Sequence, residues 1–271
     1  MFDGFVVNGI VLSLLAGLST TVGAFIALLA TRRGGMNKRW LSGLLGLAAG
    51  VMIAVSFVEL YAGAVAELDL TSASIAFFGG FIAIFLIDVI VPHDYQTERT
   101  EDDRDCCDPT AWPPPDPEDI CLCEERTGIL TALGIAIHNL PEGLVIVSGA
   151  AASPELGLLL AVAIAMHNIP EGIAVAVPIV EATGDRAKAI WYTFLSGLAE
   201  PVGAVLGALI LAPYMTPEVI ELSLAAVAGV MVFIGLDELL PTAHRYGEEH
   251  ATTVGVLAGM ILMVVTLVVL G

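Results

Sequence analysis

Residues 135–146 read IAIHNLPEGLVI, and residues 164–175 read IAMHNIPEGIAV. The two phrases agree at seven of twelve positions, H-N-x-P-E-G included. Each sets a histidine, an asparagine and a glutamate among aliphatic residues, where polar groups are costly unless they serve one another or a ligand. The surroundings decide the fold. Eight apolar stretches lie near 5–30, 40–62, 72–92, 128–151, 156–180, 187–211, 217–238 and 252–270. Each is long enough to cross ~30 Å of hydrocarbon at ~1.5 Å per residue. Composition agrees, with 57% hydrophobic residues, 14% charged and a mean hydropathy of +0.87. A soluble domain sits nearer ~45–50% apolar and about a quarter charged. The expected fold is all-α, a polytopic membrane protein of eight transmembrane helices forming one domain over 1–271. The first stretch is not a removable leader, because it is long, lacks a basic start and is followed by Arg32 and Arg33.

Basic residues set the orientation. All ten Lys and Arg fall in the loops after stretches 1, 3, 5 and 7, and none falls at a terminus or after stretches 2, 4 or 6. By the positive-inside rule those four loops are cytoplasmic and both termini are extracellular, in a multi-pass protein of the cell membrane. The alternation also checks the count of spans, since a missed one would scramble it.

The net charge is −19, and twelve of the 29 acids lie between Asp94 and Glu125. The segment 93–127 is acidic, proline-rich and without helical period, so it is expected to be a flexible cytoplasmic loop. An origin in high salt accounts for the remaining acidity. The loop holds all four cysteines, Cys106, Cys107, Cys121 and Cys123. In a reducing cytosol their CC…CxC pattern reads either as soft-metal capture or as incidental thiols on a tether, and it is not a zinc-ribbon spacing.

The repeated phrase carries the chemistry. His138 and Glu142 are four residues apart and share a helix face, as do His167 and Glu171, with Asn139 on the same edge. The two phrases sit at the middle of consecutive, antiparallel spans. One donor group therefore reaches the bilayer midplane twice from opposite directions, the pattern of transporters with inverted repeats. Each phrase has a proline, which frees a backbone carbonyl (of Ile137 or Met166), and a glycine that admits a close neighbour helix. Glu200, in FLSGLAEPVGAVLG, adds a third midspan carboxylate. Three such carboxylates cost roughly 8–10 kcal/mol to insert, at ~2.5–3.5 kcal/mol each. No Lys or Arg lies toward the middle of a span to pair with them, Lys188 standing at the very edge of the sixth. Two imidazoles and three carboxylates suit Zn²⁺ and other borderline first-row ions better than Mg²⁺ or Ca²⁺. Ser19, Thr20 and Thr21 in the first span read as ordinary helix-packing groups.

With HNLPEG in the fourth span and HNIPEG in the fifth, the chain resembles the ZIP (Zrt/Irt-like) family of divalent metal transporters. The full motif in both spans is similar to its broad-specificity prokaryotic GufA-like branch. SFVEL at 56–60 and DELLPTAHRYG at 237–247 resemble segments of the same branch. The likeness implies a ZIP-like bundle with an inverted repeat and a binuclear centre of His138, Asn139, Glu142, His167, Asn168, Glu171 and Glu200. Glu59 in the second span is implied on the outer side. Asp88, His93, Asp237, Glu238 and His244 stand near the cytoplasmic ends of spans 3 and 7, as solvated helix ends or as an exit route. His250 reads as a surface loop residue. The family's variable loop is often histidine-rich, whereas here it is acidic and bears cysteines.

The implied function is uptake of Zn²⁺, and of Fe²⁺, Mn²⁺, Co²⁺ or Cd²⁺, into the cytoplasm by alternating access. The ions are cargo, with no cofactor; the partners are divalent ions and lipid, with no nucleic acid, and a homodimer is an assembly to test. The alternative is an intramembrane metal-dependent hydrolase, and a metal sensor without transport is a third reading. A hydrolase needs one open metal position and a general base. Both phrases read HNxPE where the strong signature is HEXXH. The loop reading yields a first test: a variant lacking 99–124 should insert normally and keep substantial uptake in a cell-free assay. Complete loss of uptake by a well-inserted deletion variant would make the loop part of the machinery.

Overall fold

The structure is a computed structural model that describes residues 4–31, 37–90, 117–211, 214, 216–245 and 249–270. Eight of its helices are long and apolar enough to cross a membrane. They are α1 (Gly4–Thr31), α2 (Lys38–Val55, continued through Ser56–Tyr61 and Ala62–Glu67), α3 (Leu70–Ile90) and α4 (Pro117–Ala152). The second half comprises α5 (Pro154–Thr183), α6 (Arg186–Leu211), α7 (Pro217–Ile234, continued through Gly235–Leu239 and Leu240–Arg245) and α8 (Glu249–Leu270). The all-α polytopic expectation is met.

Local chemistry sets the helix ends. Asp69 caps α3, accepting from the backbone N–H of Thr71 (2.8 Å) and Ser72 (3.0 Å) and from the Ser72 hydroxyl (2.6 Å). Those bonds, the Ser72 hydroxyl first, hold its carboxyl below the usual carboxylate range. Ser153 and Thr216 cap α5 and α7, each ahead of a proline in the first turn. Gly184, at φ 66°, ends α5 in the left-handed conformation and returns its N–H to Val180.

Two expectations are corrected. α4 begins at Pro117, inside the segment 93–127 that composition reads as a flexible loop, so Cys121 and Cys123 fall on helical backbone. Proline followed by Glu118 and Asp119 reads as disorder by composition, yet the same order suits a helix start. The remainder of that segment, with Cys106 and Cys107, lies outside the described residues. α7 runs on to Arg245, past its expected end near 238, through a π-helical turn at Gly235–Leu239. A second π-helical turn, Ser56–Tyr61, interrupts α2.

The helices pack about a pseudo-two-fold relation that exchanges α1–α3 with α6–α8 and α4 with α5. Each helix contact has its counterpart: α1 on α5 as α6 on α4, α2 on α8 as α7 on α3, and α2 on α5 as α7 on α4. The sequence bears the same imprint 180 residues apart, in GLSTTVGA (17–24) and GLAEPVGA (197–204), and 179 apart in VEL (58–60) and DEL (237–239). Both π-helical turns occupy equivalent places under this relation. Glycines make the central crossings. Gly203 of α6 lies against the Leu140 carbonyl of α4, and its equivalent Gly23 of α1 lies against the Ile169 carbonyl of α5. Without a Cβ the backbones meet directly, the usual way helices associate in lipid.

The bundle has a mostly apolar core into which small hydroxyl side chains are set, and its outer face is apolar as well. Ser13, Thr20, Ser42, Ser56, Ser148, Thr193, Ser196 and Thr252 are buried, while Ile75, Phe78, Ile82 and Phe85 of α3 face outward. Ser42 and Thr252 share a hydrogen bond of 2.7 Å that ties α2 to α8. Gly203→Leu should part α4 from α6 and lower the monodisperse fraction and thermal stability in detergent. Gly79→Leu should leave both unchanged, because Gly79 faces open space. Equal behaviour of the two variants would mean that the α4–α6 crossing is not what holds the bundle.

Candidate metal centre

α4 and α5 cross at the repeated phrase, and α6 closes the crossing. Gly143 rests on the Glu200 carbonyl and Gly172 on the Thr20 carbonyl, as the spacing leads one to expect of a glycine after each glutamate. α4 and α5 remain helical through Pro141 and Pro170. The interior so formed is sealed: Asn139, Glu142, His167, Asn168, Glu171 and Glu200 are all 0% exposed, and His138 is 2% exposed.

Three donors converge. One ligand atom each from Glu142, His167 and Glu171 can be chosen so that all lie within 4.8 Å of one another. His167 Nε2 is 2.9 Å from Glu142 Oε1. Asn168 bridges to the third carboxylate, its Nδ2 donating to Glu200 Oε2 at 2.7 Å and to the Ala16 carbonyl at 3.2 Å. Asn139 Nδ2 donates to the Ser196 carbonyl at 3.0 Å. With each amide nitrogen so engaged, the Oδ1 atoms of Asn139 and Asn168 stay free as neutral oxygen donors.

The unpaired atoms mark the chemistry. Glu142 Oε2, both carboxylate oxygens of Glu171 and Glu200 Oε1 are buried without a hydrogen-bond partner. Buried polar atoms are normally satisfied, so a cluster of acceptor oxygens without donors is what an electropositive ligand completes. No Lys or Arg is among the buried residues described. Imidazole nitrogen, carboxylate and amide oxygen together form a donor set for a borderline divalent ion.

Two residues stand elsewhere than expected. His138 does not join the three-residue cluster; its Nε2 meets Glu238 Oε1 of α7 at 2.6 Å. Glu238 is thus partly buried and tied to the centre through His138, and of its two readings, solvated helix end or exit route, this fits the second. The signal that could have found it is the VEL/DEL correspondence, which pairs Glu238 with Glu59. Glu59 itself is half-buried on the π-helical turn of α2, outside the three-residue cluster.

The sequence model of the ZIP zinc transporter family matches residues 3–267. A protein named zinc transporter ZupT from Nitratidesulfovibrio vulgaris is 46% identical, covering 98% of each chain. The zinc transporter ZupT of Chlorobium phaeovibrioides is 47% identical over 96% of this chain and 97% of its own. That of Clostridium perfringens is 42% identical over 97% and 95%. These relatives are transporters rather than enzymes, which removes the hydrolase alternative. A match along nearly the whole chain, with relatives above 40% identity, makes this protein a member of the ZIP zinc transporter family, in the GufA-like prokaryotic branch to which ZupT belongs.

Proposed function

We propose that the protein carries Zn²⁺, and related ions such as Fe²⁺, Mn²⁺, Co²⁺ and Cd²⁺, across the plasma membrane into the cytoplasm. The carrying observation is the fully buried cluster of Glu142, His167 and Glu171, with no Lys or Arg among the buried residues described. An anionic, dehydrated site of this kind must be neutralised, and a divalent cation does so at the lowest cost of rearrangement. The relatives named as zinc transporters favour Zn²⁺ as cargo.

The centre is read as binuclear because the two-fold relation supplies the donors twice. His138, Asn139 and Glu142 come from α4, His167, Asn168 and Glu171 from α5, and Glu200 from α6. Glu142 and Glu171 are the carboxylates placed to bridge two ions. Glu59 and Glu238, equivalent on α2 and α7, flank the centre on opposite sides, Glu59 outward and Glu238 toward the cytoplasm. A pair of half-structures exchangeable by a two-fold relation supports alternating access, since each half can open in turn. The ten basic residues in the odd-numbered loops support extracellular termini.

Glu171→Gln keeps size and hydrogen bonding but removes one charge from a site of low dielectric. Zinc uptake into liposomes should fall at least roughly tenfold, and zinc should no longer raise the melting temperature. The variant itself should be as well inserted as the parent, because one ionisable group has left the membrane interior. Glu142→Gln and Glu200→Gln should follow it. Glu155→Gln, at the exposed start of α5, should transport normally. Normal uptake and zinc stabilisation in the Glu142 and Glu171 variants would make those carboxylates structural.

A further inference from the structure

The two-fold relation places Thr20 of α1 where Glu200 stands in α6. A Cβ built on Gly17 would lie 3.3 Å from Glu200 Cβ, and one built on Gly197 would lie 3.3 Å from Thr20 Cβ. The Glu200 carbonyl lies against Gly143 of α4, and the Thr20 carbonyl against Gly172 of α5, 29 residues later. Asn168 donates to the Ala16 carbonyl of α1, and Asn139 donates to the carbonyl of Ser196, the α6 equivalent of Ala16. By this relation Thr20 and Asn139 hold the positions of Glu200 and Asn168, with the difference that Asn168 donates to Glu200 Oε2 at 2.7 Å while Thr20 Oγ1 has no partner.

The Thr20 hydroxyl has been kept out of the usual helical bond. Threonines in lipid-embedded helices commonly donate to the carbonyl four residues back, as Thr193 does to Ala189 (2.8 Å) and Thr266 to Leu262 (2.9 Å). For Thr20 that carbonyl belongs to Ala16. Besides its helical backbone bond, that carbonyl already accepts from the Ser19 hydroxyl (2.6 Å) and from Asn168 Nδ2 (3.2 Å), which leaves no room for a third side-chain donor. Thr20 is 0% exposed and its Oγ1 has no hydrogen-bond partner, nor has Asn139 Oδ1. Two buried oxygens at the place equivalent to the Glu200–Asn168 pair are an uncharged copy of that pair, rather than helix-packing groups.

We propose that Thr20 Oγ1 and Asn139 Oδ1 form a neutral oxygen-donor arm of the metal centre, opposite the charged Glu200–Asn168 arm, and that Thr20 thereby sets its ion preference. This rests on the reading of the buried cluster as a metal centre. Hydroxyl and amide oxygens favour harder ions, so Mn²⁺ depends on this arm more than Zn²⁺, which His167 nitrogen and the carboxylates hold.

The test is titration calorimetry of the purified full-length protein with Zn²⁺ and with Mn²⁺, alongside melting temperatures. Thr20→Val, and Thr20→Ala as a second removal of the oxygen, should weaken Mn²⁺ binding roughly tenfold and Zn²⁺ binding only about threefold. Thr20→Ser should stay within about twofold of the parent for both ions, since it restores the oxygen. Ser13→Ala removes another unpartnered buried hydroxyl of α1 about two turns away and should change neither affinity. Unchanged Mn²⁺ binding in Thr20→Val and Thr20→Ala overturns the arm, as does an equal loss in Ser13→Ala. Unchanged Zn²⁺ binding in Glu171→Gln, or none in the parent, overturns the centre itself.

Discussion

Much in this protein follows from placing three carboxylates deep in the bundle, where no Lys or Arg is among the buried residues described. Glu142, Glu171 and Glu200 are wholly buried at the crossing of α4, α5 and α6. Inserting them is unfavourable by several kcal/mol, at ~2.5–3.5 kcal/mol apiece at a helix centre. The rest of the bundle must supply what holds them together. It does so with backbone contacts through glycine and with amide side chains whose nitrogens are tied to backbone carbonyls and, for Asn168, to Glu200, while their oxygens are left without partners.

Symmetry makes such a site economical in residues. Two short phrases, repeated in helices of opposite direction, build both sides of one cluster. The copies are not equal, and the inequality is informative. Glutamate occupies the α6 position and threonine the α1 position. His138 pairs with Glu238 of α7, while His167 pairs with Glu142. A perfect two-fold site would present the same field to both faces of the membrane, whereas this one is biased.

The sequence revealed the spans, and which residues gather where α4 and α5 cross, because both rest on strong local signals. Runs of apolar residues announce a helix in lipid, and His-x-x-x-Glu repeated at 138–142 and 167–171 announces a shared face. Long-range equivalence was harder to read. GLSTTVGA and GLAEPVGA agree mainly at glycine, valine and alanine, and they hide the exchange of Thr20 for Glu200. Glu238 was left between a solvated helix end and a place on an exit route, because a carboxylate near the edge of an apolar run suits either; its partner His138 lies 100 residues away in sequence and no local signal announces it. The start of α4 was obscured for a different reason, since proline and acids suit both a tether and a helical first turn.

The π-helical turns of α2 and α7 have a consequence for the lipid boundary. Across Ser56–Tyr61, Phe57 and Val58 face outward while Ser56 and Leu60 are buried; across Gly235–Leu239, Leu236 faces outward while Gly235 and Leu239 are buried. An ordinary helix advances ~100° per residue, so an extra residue in one turn shifts the phase of everything beyond it. Each helix thus changes which of its sides is greasy partway across the bilayer, at the very turn that carries Glu59 or Glu238. Removing a single residue there would restore α geometry and rotate one half of the span against the other. A one-residue deletion, harmless in most surface loops, is in these two helices a change of solvent for every side chain downstream.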